Sequence, residues 1–511
     1  QMCIRDSYYP LLVYHWHQAG DEGRECHYAA LAGKWAAAQF ANVEAAGYFR
    51  RALELTPASD LAARYDLLLG REMVNDLLGE REAQAQDLVT LVLLSMAEDV
   101  GVWGPLNPQA MPRKAARVAL RLANYMEVTS DYAAALVAVN RAVTLSSRAQ
   151  ETAAETEGHI AWGKVLWRQG NYEAARAPLE RALELARSAH NVLEEAESLD
   201  SLGDVYLYQS NYSVAQEYYL QALDLYHALG RHQGEADSLN MLGVIRYDLG
   251  DYLAAKDYYE QVLNIYRTIG DRRGETMALS NLAVVYCDVG DYELARDYHQ
   301  RSRDLRIAIG DRWGEAVSLV NLGYVYHNLG DNETARRYCE RALAIQREIG
   351  DPRGEGYSLT YLGHALAGLG RLMPAAEAYT QAMNLRRDLG QQGLAVDDLA
   401  GLARVVLAQG DEVRAAAYVE EILAWIEGNG PEGIEYPFQV DLTCYAVLWA
   451  TARGDAAKLE QARAILTRAY TALMQRAADI GDEDLQRKFL EDVATHREIV
   501  DAWQAQADTH S

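Results

Sequence analysis

Along most of the chain apolar residues recur at three- and four-residue spacing, with no sustained alternation of apolar and polar positions, so the pattern predicts helices rather than strands. Between residues 272 and 310, Leu279, Leu282, Ala283 and Tyr286 mark the apolar stripe of one helix, and Ala295, Tyr298 and Leu305 that of a second. Gly290 separates them, because a residue just past a helix often needs positive φ. Asp291 follows as a cap, its carboxylate placed to accept from exposed backbone N–H groups. The second helix stops at Gly310, and Asp311 begins the link to the next pair, where Gly314 and Glu315 repeat Gly274 and Glu275.

This hairpin repeats. Gly250, Gly290, Gly330, Gly370 and Gly410 stand 40 residues apart, with Gly170 two periods before Gly250 and Ser210 in the gap. In phase run Leu202, Leu242, Leu282, Leu322, Leu362 and Leu402, and the small residues Ala175, Ala215, Ala255, Ala295, Ala335, Ala375 and Ala415. A period of 20 to 50 residues signals a solenoid, propeller or array, and a helical period selects an all-α solenoid. Seven hairpins are expected over residues 156–428, preceded by weaker helical repeats over 8–110 and a degenerate hairpin over 113–155. Between the flanking segments Gly101, Gly104, Pro105, Pro108 and Pro112 predict a loop, as does the Gly/Pro-containing stretch Gly428–Pro437. Residues 429–511 are expected to add one more hairpin, from Val440 to about Ala477, and an amphipathic helix through Leu485, Phe489, Leu490 and Val493 that caps the stack.

The order Leu322, Gly323, Tyr326 in a first helix and Ala335, Tyr338, Ala342 in a second resembles the tetratricopeptide repeat, with a longer period than its commonest 34 residues. The resemblance implies a right-handed superhelix whose first helices line a concave face. The flanks carry a narrower likeness. Tyr14-His-Trp-His-Gln-Ala-Gly-Asp, Leu31-Ala-Gly-Lys-Trp and Arg487-Lys-Phe-Leu-Glu are similar to segments of bacterial signalling ATPases that join an AAA/STAND-type module to a C-terminal tetratricopeptide arm.

Composition narrows the chemistry. The formal charge of -26 argues against direct nucleic-acid binding, which needs clustered Lys and Arg, and against an anionic membrane surface. Two readings of that charge stay open: basic or amphipathic partners, and simple solubility. No apolar run approaches the ~20 residues needed to span a bilayer. Cys3, Cys26, Cys287, Cys339 and Cys444 form no close pair or metal-ligand spacing, which favours a reducing, cytoplasmic setting. No catalytic residue, metal site or cofactor is expected. Gly158 to Lys164 spells G-x-x-x-x-G-K, but Val165 replaces the magnesium-binding Ser or Thr and the stretch lies inside a helix. Residues 1–7 read as a non-native leader, with Gln1 no initiator and Tyr8 entering directly into a helical pattern.

What remains is the groove. The resemblance places Asp200, Asp204, Asn240, Asn281, Asn321, Tyr324, His327, Tyr357, Tyr361 and His364 on the concave lining, acidic toward Asp200 and mixed aromatic and polar toward His364. Asn281 and Asn321 either bond the backbone of an extended ligand through both donor and acceptor or bridge adjacent helices. The expected ligand is a protein or peptide, with basic residues toward the Asp200 end. Two functional classes follow: a non-catalytic regulatory or sensor arm of a larger signalling ATPase, and a free-standing adaptor that assembles partners.

Overall fold

The computed structural model describes residues 8–39, 41–96, 110–431 and 433–508. The leader of residues 1–7 and the loop positions Gly101, Gly104, Pro105 and Pro108 lie outside them. Pro112 is described and differs from expectation: it sits in the first turn of the helix Ala110–Val128, where its missing N–H costs no helical bond. All regular structure among the described residues is helical, an all-α array of hairpins. Two compact units divide it, Gln1–Gly230 and Arg231–Ser511.

Within each unit the repeat is built from 17- or 18-residue helices and short turns of the same construction. In several copies a Gly-Asp pair does this at both ends of the hairpin. Gly290 has φ 85°, and Asp291 accepts from the Leu294 N–H at 3.2 Å. At the link between hairpins Asp311 plays the same part, accepting from Gly314 N–H at 2.8 Å. Asp311, expected only to begin a link, is a helix cap, so where Gly-Asp stands in both places the hairpin turn and the inter-hairpin turn are one device. Ser210 takes φ 57° where the glycine is missing, so the register sets the backbone conformation even without Gly.

The in-phase small residues fix how closely the helices approach. Ala175, Ala215, Ala255, Ala295, Ala335, Ala375 and Ala415 are all 0% exposed, so no larger side chain has room there. Facing them, a Cβ added at Gly203 would stand 2.7 Å from the Tyr219 ring, and at Gly243 2.6 Å from Tyr259. In these copies a glycine in the first helix seats a tyrosine of the second, so it serves helix packing rather than a turn. Gly363 meets Tyr379 in the same way, whereas Gly163 meets Leu179, Gly323 meets Cys339, and two copies carry Ala283 with His299 and Ala403 with Val419 in the corresponding places. Tyrosines one turn away stack between the helices of a hairpin: Tyr206 on Tyr218 at 5.5 Å, Tyr286 on Tyr298 at 5.5 Å and Tyr326 on Tyr338 at 5.4 Å.

The end of the second unit does not follow the period. After the helices Pro437–Thr451 and Ala456–Ala478 come the shorter Glu483–Glu491 and the final Ala494–Asp508. The Phe489 helix was expected to cap the stack; it instead turns back onto a hairpin far earlier in the chain, where Lys488 Nζ donates to Asp291 Oδ2 at 2.8 Å. Gly290 is required at that contact, since a Cβ there would lie 2.9 Å from the Lys488 carbonyl oxygen.

Candidate ligand-binding groove

Asp200 and Asp204 belong to the first unit, on the helix Val192–Tyr208. Both are partly exposed. Asp204 accepts from the Tyr219 hydroxyl at 2.7 Å, so it braces its hairpin as well as facing outward. One turn on, Tyr208 is 56% exposed and packs edge-on to Trp167 at 5.0 Å and against Tyr172 at 6.0 Å. Glu194, at the start of the same helix, is pushed up to about 7 by burial, with Glu197 and Glu157 adding to the rise against an opposing hydrogen bond from Thr156. The lining of this unit is therefore acidic with an exposed aromatic edge.

The remaining expected residues lie in the second unit, where the structure draws some together and commits others to internal bonds. Asn281 donates to Asn240 at 2.8 Å, and Asn240 is buried, so of the two roles considered for this asparagine the structure displays the bridge between helices. Tyr357 lies under the Arg386 guanidinium, 4.9 Å from ring centroid to charge centre, in a clasp that also holds Asp398 at 3.2 Å. Asn321, Tyr324, His327, Tyr361 and His364 converge on one cavity of about 560 Å³.

Its roof is the chain's own C-terminal segment. The Gly/Pro stretch after the last period enters at Glu435 and Tyr436, whose backbone N–H groups donate to Asp397 at 3.0 and 3.1 Å. The Tyr436 hydroxyl meets that of Tyr361 at 2.6 Å, and its ring stacks on Tyr324 at 5.9 Å. Further along, Phe438, Gln439, Arg476, Phe489, Val493 and His496 complete the enclosure. Tyr361 and His364 are consequently buried, and the lining read from sequence as an open groove is a covered cavity here.

The electrostatics follow from that cover. His327 and His364 stack at 5.6 Å, and burial holds both below the usual histidine range, with Arg404 pressing the same way, so both rings are neutral near pH 7. His299, from the second helix Tyr292–Ala308, lines the cavity and is pushed down to about 3 by burial and by Arg306. Asp288 is raised to about 6 by burial although Tyr247 donates to it and Arg476 lies near. Sequence reasoning missed Asp288 as a buried group and missed His299 and Arg476 altogether. The signal for His299 was present, as the one histidine on the tyrosine-bearing row of the second helices. Nothing in the period marks Arg476, whose place depends on the fold-back of the terminal helices.

Among the described residues no helix is long and apolar enough to cross a membrane. A comparison with curated proteins found no match. A family model described as the tetratricopeptide repeat matches residues 152–228, 215–268, 274–348 and 314–388. Among solved structures, the chain is similar to a signal transduction ATPase with numerous domains carrying a tetratricopeptide repeat sensor, from Pyrococcus horikoshii. That match has 18% identity and a TM-score of 0.50, over 70% of this chain and 55% of that one. It is also similar to the apo form of RapI, at 14% identity and a TM-score of 0.53, over 72% of this chain and 99% of that one. The chain thus spans about half the length of the ATPase, and at these identities both likenesses speak to the fold alone. Residues 152–268 and 274–388 are thus tetratricopeptide repeats, a fold that serves in general as a scaffold for protein interaction.

Proposed function

We propose that the chain is the regulatory or sensor arm of a larger signalling ATPase, binding a protein or peptide segment on the acidic lining of its first unit. The observation that carries the binding role is the combination on the helix Val192–Tyr208: partly exposed Asp200 and Asp204, and the 56%-exposed Tyr208 beside Trp167. Carboxylates and an aromatic edge on one helix face suit a basic segment with apolar residues at helical or extended spacing, the carboxylates giving orientation and the rings contact area. The flanking likeness to signalling ATPases and the similarity to a protein that carries a tetratricopeptide sensor support the attachment. By linkage, such an arm shifts an attached switch only by the ligand's differential affinity for the switch's two states.

The test uses a fluorescent amphipathic peptide rich in Lys and Leu, titrated into the whole chain and into the Asp200→Lys variant; Asp204 is spared because it braces Tyr219. Binding that weakens about tenfold in the variant and falls with added salt is expected. Unchanged affinity and a flat salt response would refute the acidic-lining reading. The arm role is tested separately, by the affinity of the same peptide for the longer protein loaded with ATP or with ADP. Equal affinity in both states and in the isolated chain leaves a free-standing adaptor.

A further inference from the structure

The cavity of the second unit is lined by two guanidiniums, Arg404 and Arg476, and by three carboxyls, Asp288, Glu435 and the exposed Glu498, of which Glu435 is engaged by Arg386 and by the hydroxyls of Tyr357, Tyr361 and Tyr436. Arg404 enters it from the helix Gln392–Ala408, and no carboxylate among the described residues forms an ion pair with it. Its hydrogen-bond partner is neutral: the Gln439 amide, turned with its oxygen toward the guanidinium, accepts from both terminal nitrogens, one of them at 3.0 Å. The groups next to it, His327, His364 and Tyr379, are neutral as well. On the other side of the cavity Arg476 has Asp288 near it, so that charge is largely answered. A partly buried guanidinium with only neutral partners loses much of its hydration without a compensating anion. A second polar group is also left over: His299 is 1% exposed, lines the same cavity, and its Nδ1 has no hydrogen-bond partner.

We infer that this cavity is a binding site for a small organic oxyanion, a carboxylate or phosphate monoester with a flat apolar body. Its charged head would pair with Arg404, and its body would lie against the rings of Tyr324, Tyr436 and Phe438. Gln439 holds the end-on pair of nitrogens, and the planar guanidinium can still meet a two-oxygen head side-on, through Nε and one terminal nitrogen. A volume of about 560 Å³ is in the range of small-molecule sites, and its mixture of aromatic walls with a few convergent polar groups is typical of them. The roof residues Tyr436 and Phe438 come from the C-terminal segment and the walls from the repeats, so a ligand here would contact both. The site is independent of the proposed arm role, because the cavity would take its ligand whatever the chain is joined to.

The experiment is calorimetric titration of the whole chain with benzoate and with phenyl phosphate at fixed ionic strength, with benzamide as the uncharged isostere. At least one oxyanion is expected to bind and benzamide to bind at least tenfold more weakly; which oxyanion binds more tightly separates a carboxylate from a phosphate ligand. Arg404→Gln should lower the affinity at least tenfold with far-UV circular dichroism unchanged, and the exposed control Arg371→Gln should leave it alone. Should Arg404→Gln fail to fold, Arg404→Lys decides, since it keeps the charge and loses the fork, and a several-fold weakening is expected. No binding by either oxyanion, equal binding of benzamide, or affinity unaffected by a folded Arg404 variant would overturn the inference.

Discussion

Glu194 shows how one side chain couples the acidic lining to stability. Its Oε2 is buried without a hydrogen-bond partner, and burial together with Glu197 and Glu157 raises it to about 7, from an ordinary value of 4.5. A carboxyl raised on folding binds more protons folded than unfolded between those two values, so stability is fullest below about 4.5 and declines as pH rises through about 7. Glu194→Gln keeps the shape and removes the titration. The variant should match wild type near pH 4 and exceed it at pH 8 by about 1–2 kcal/mol, discounted for the solvent that reaches the group. Thermal unfolding of both proteins across that range checks it, and parallel pH profiles would rule the explanation out. A mutation that stabilises while weakening a basic partner would also mark Glu194 as a residue kept for binding at a cost in stability.

At the scale of elements, the short helix Glu483–Glu491 is tied to the repeats, among the described residues, by the contact of Lys488 with Asp291. Asp291 already caps its own helix through Oδ1, leaving Oδ2 for the lysine, so the pair costs little extra ordering. Lys488→Ala should therefore loosen this helix by about 1 kcal/mol while the repeats stay intact. Hydrogen exchange resolved by peptide would show faster exchange over residues 483–491 and none gained over 312–349; uniform protection would contradict the assignment. The same element marks where the sequence stopped being informative. The Leu, Gly and Ala ladders announce each hairpin because every copy meets the same neighbours, and Ser210 keeps the glycine's backbone conformation for the same reason. The Phe489 helix has a legible amphipathic stripe, but its partner lies 197 residues earlier at the Lys488–Asp291 bond, and no local spacing encodes that choice. The lining residues Tyr324, Tyr361 and His364 were legible as a row; that they face Tyr436 depends on the same non-periodic segment.

For the whole molecule, nearest-neighbour packing sets what can fold alone. In a solenoid, stability is approximately a sum of intrinsic hairpin terms and contacts between adjacent hairpins, so any run of hairpins with its ends satisfied can stand by itself. The two compact units, Gln1–Gly230 and Arg231–Ser511, each contain several hydrophobic clusters of their own. In the second, the largest cluster joins the helices Gln392–Ala408 and Glu412–Asn429 to Val440, Cys444, Val447 and Ile465 of the non-periodic segment. That segment is therefore part of the unit's core as well as the cavity's roof. Residues 8–230 and 231–511 expressed separately should each be helical and unfold cooperatively in denaturant, with slopes that scale with the surface each exposes. A fragment of residues 231–429, which lacks the roof, should lose at least 3 kcal/mol and bind a hydrophobic dye, because Val440, Cys444 and Val447 leave a wholly buried face uncovered. If that shortened fragment were as stable as 231–511 and bound no dye, the C-terminal segment would be an appendage resting on a finished array rather than part of the unit's core.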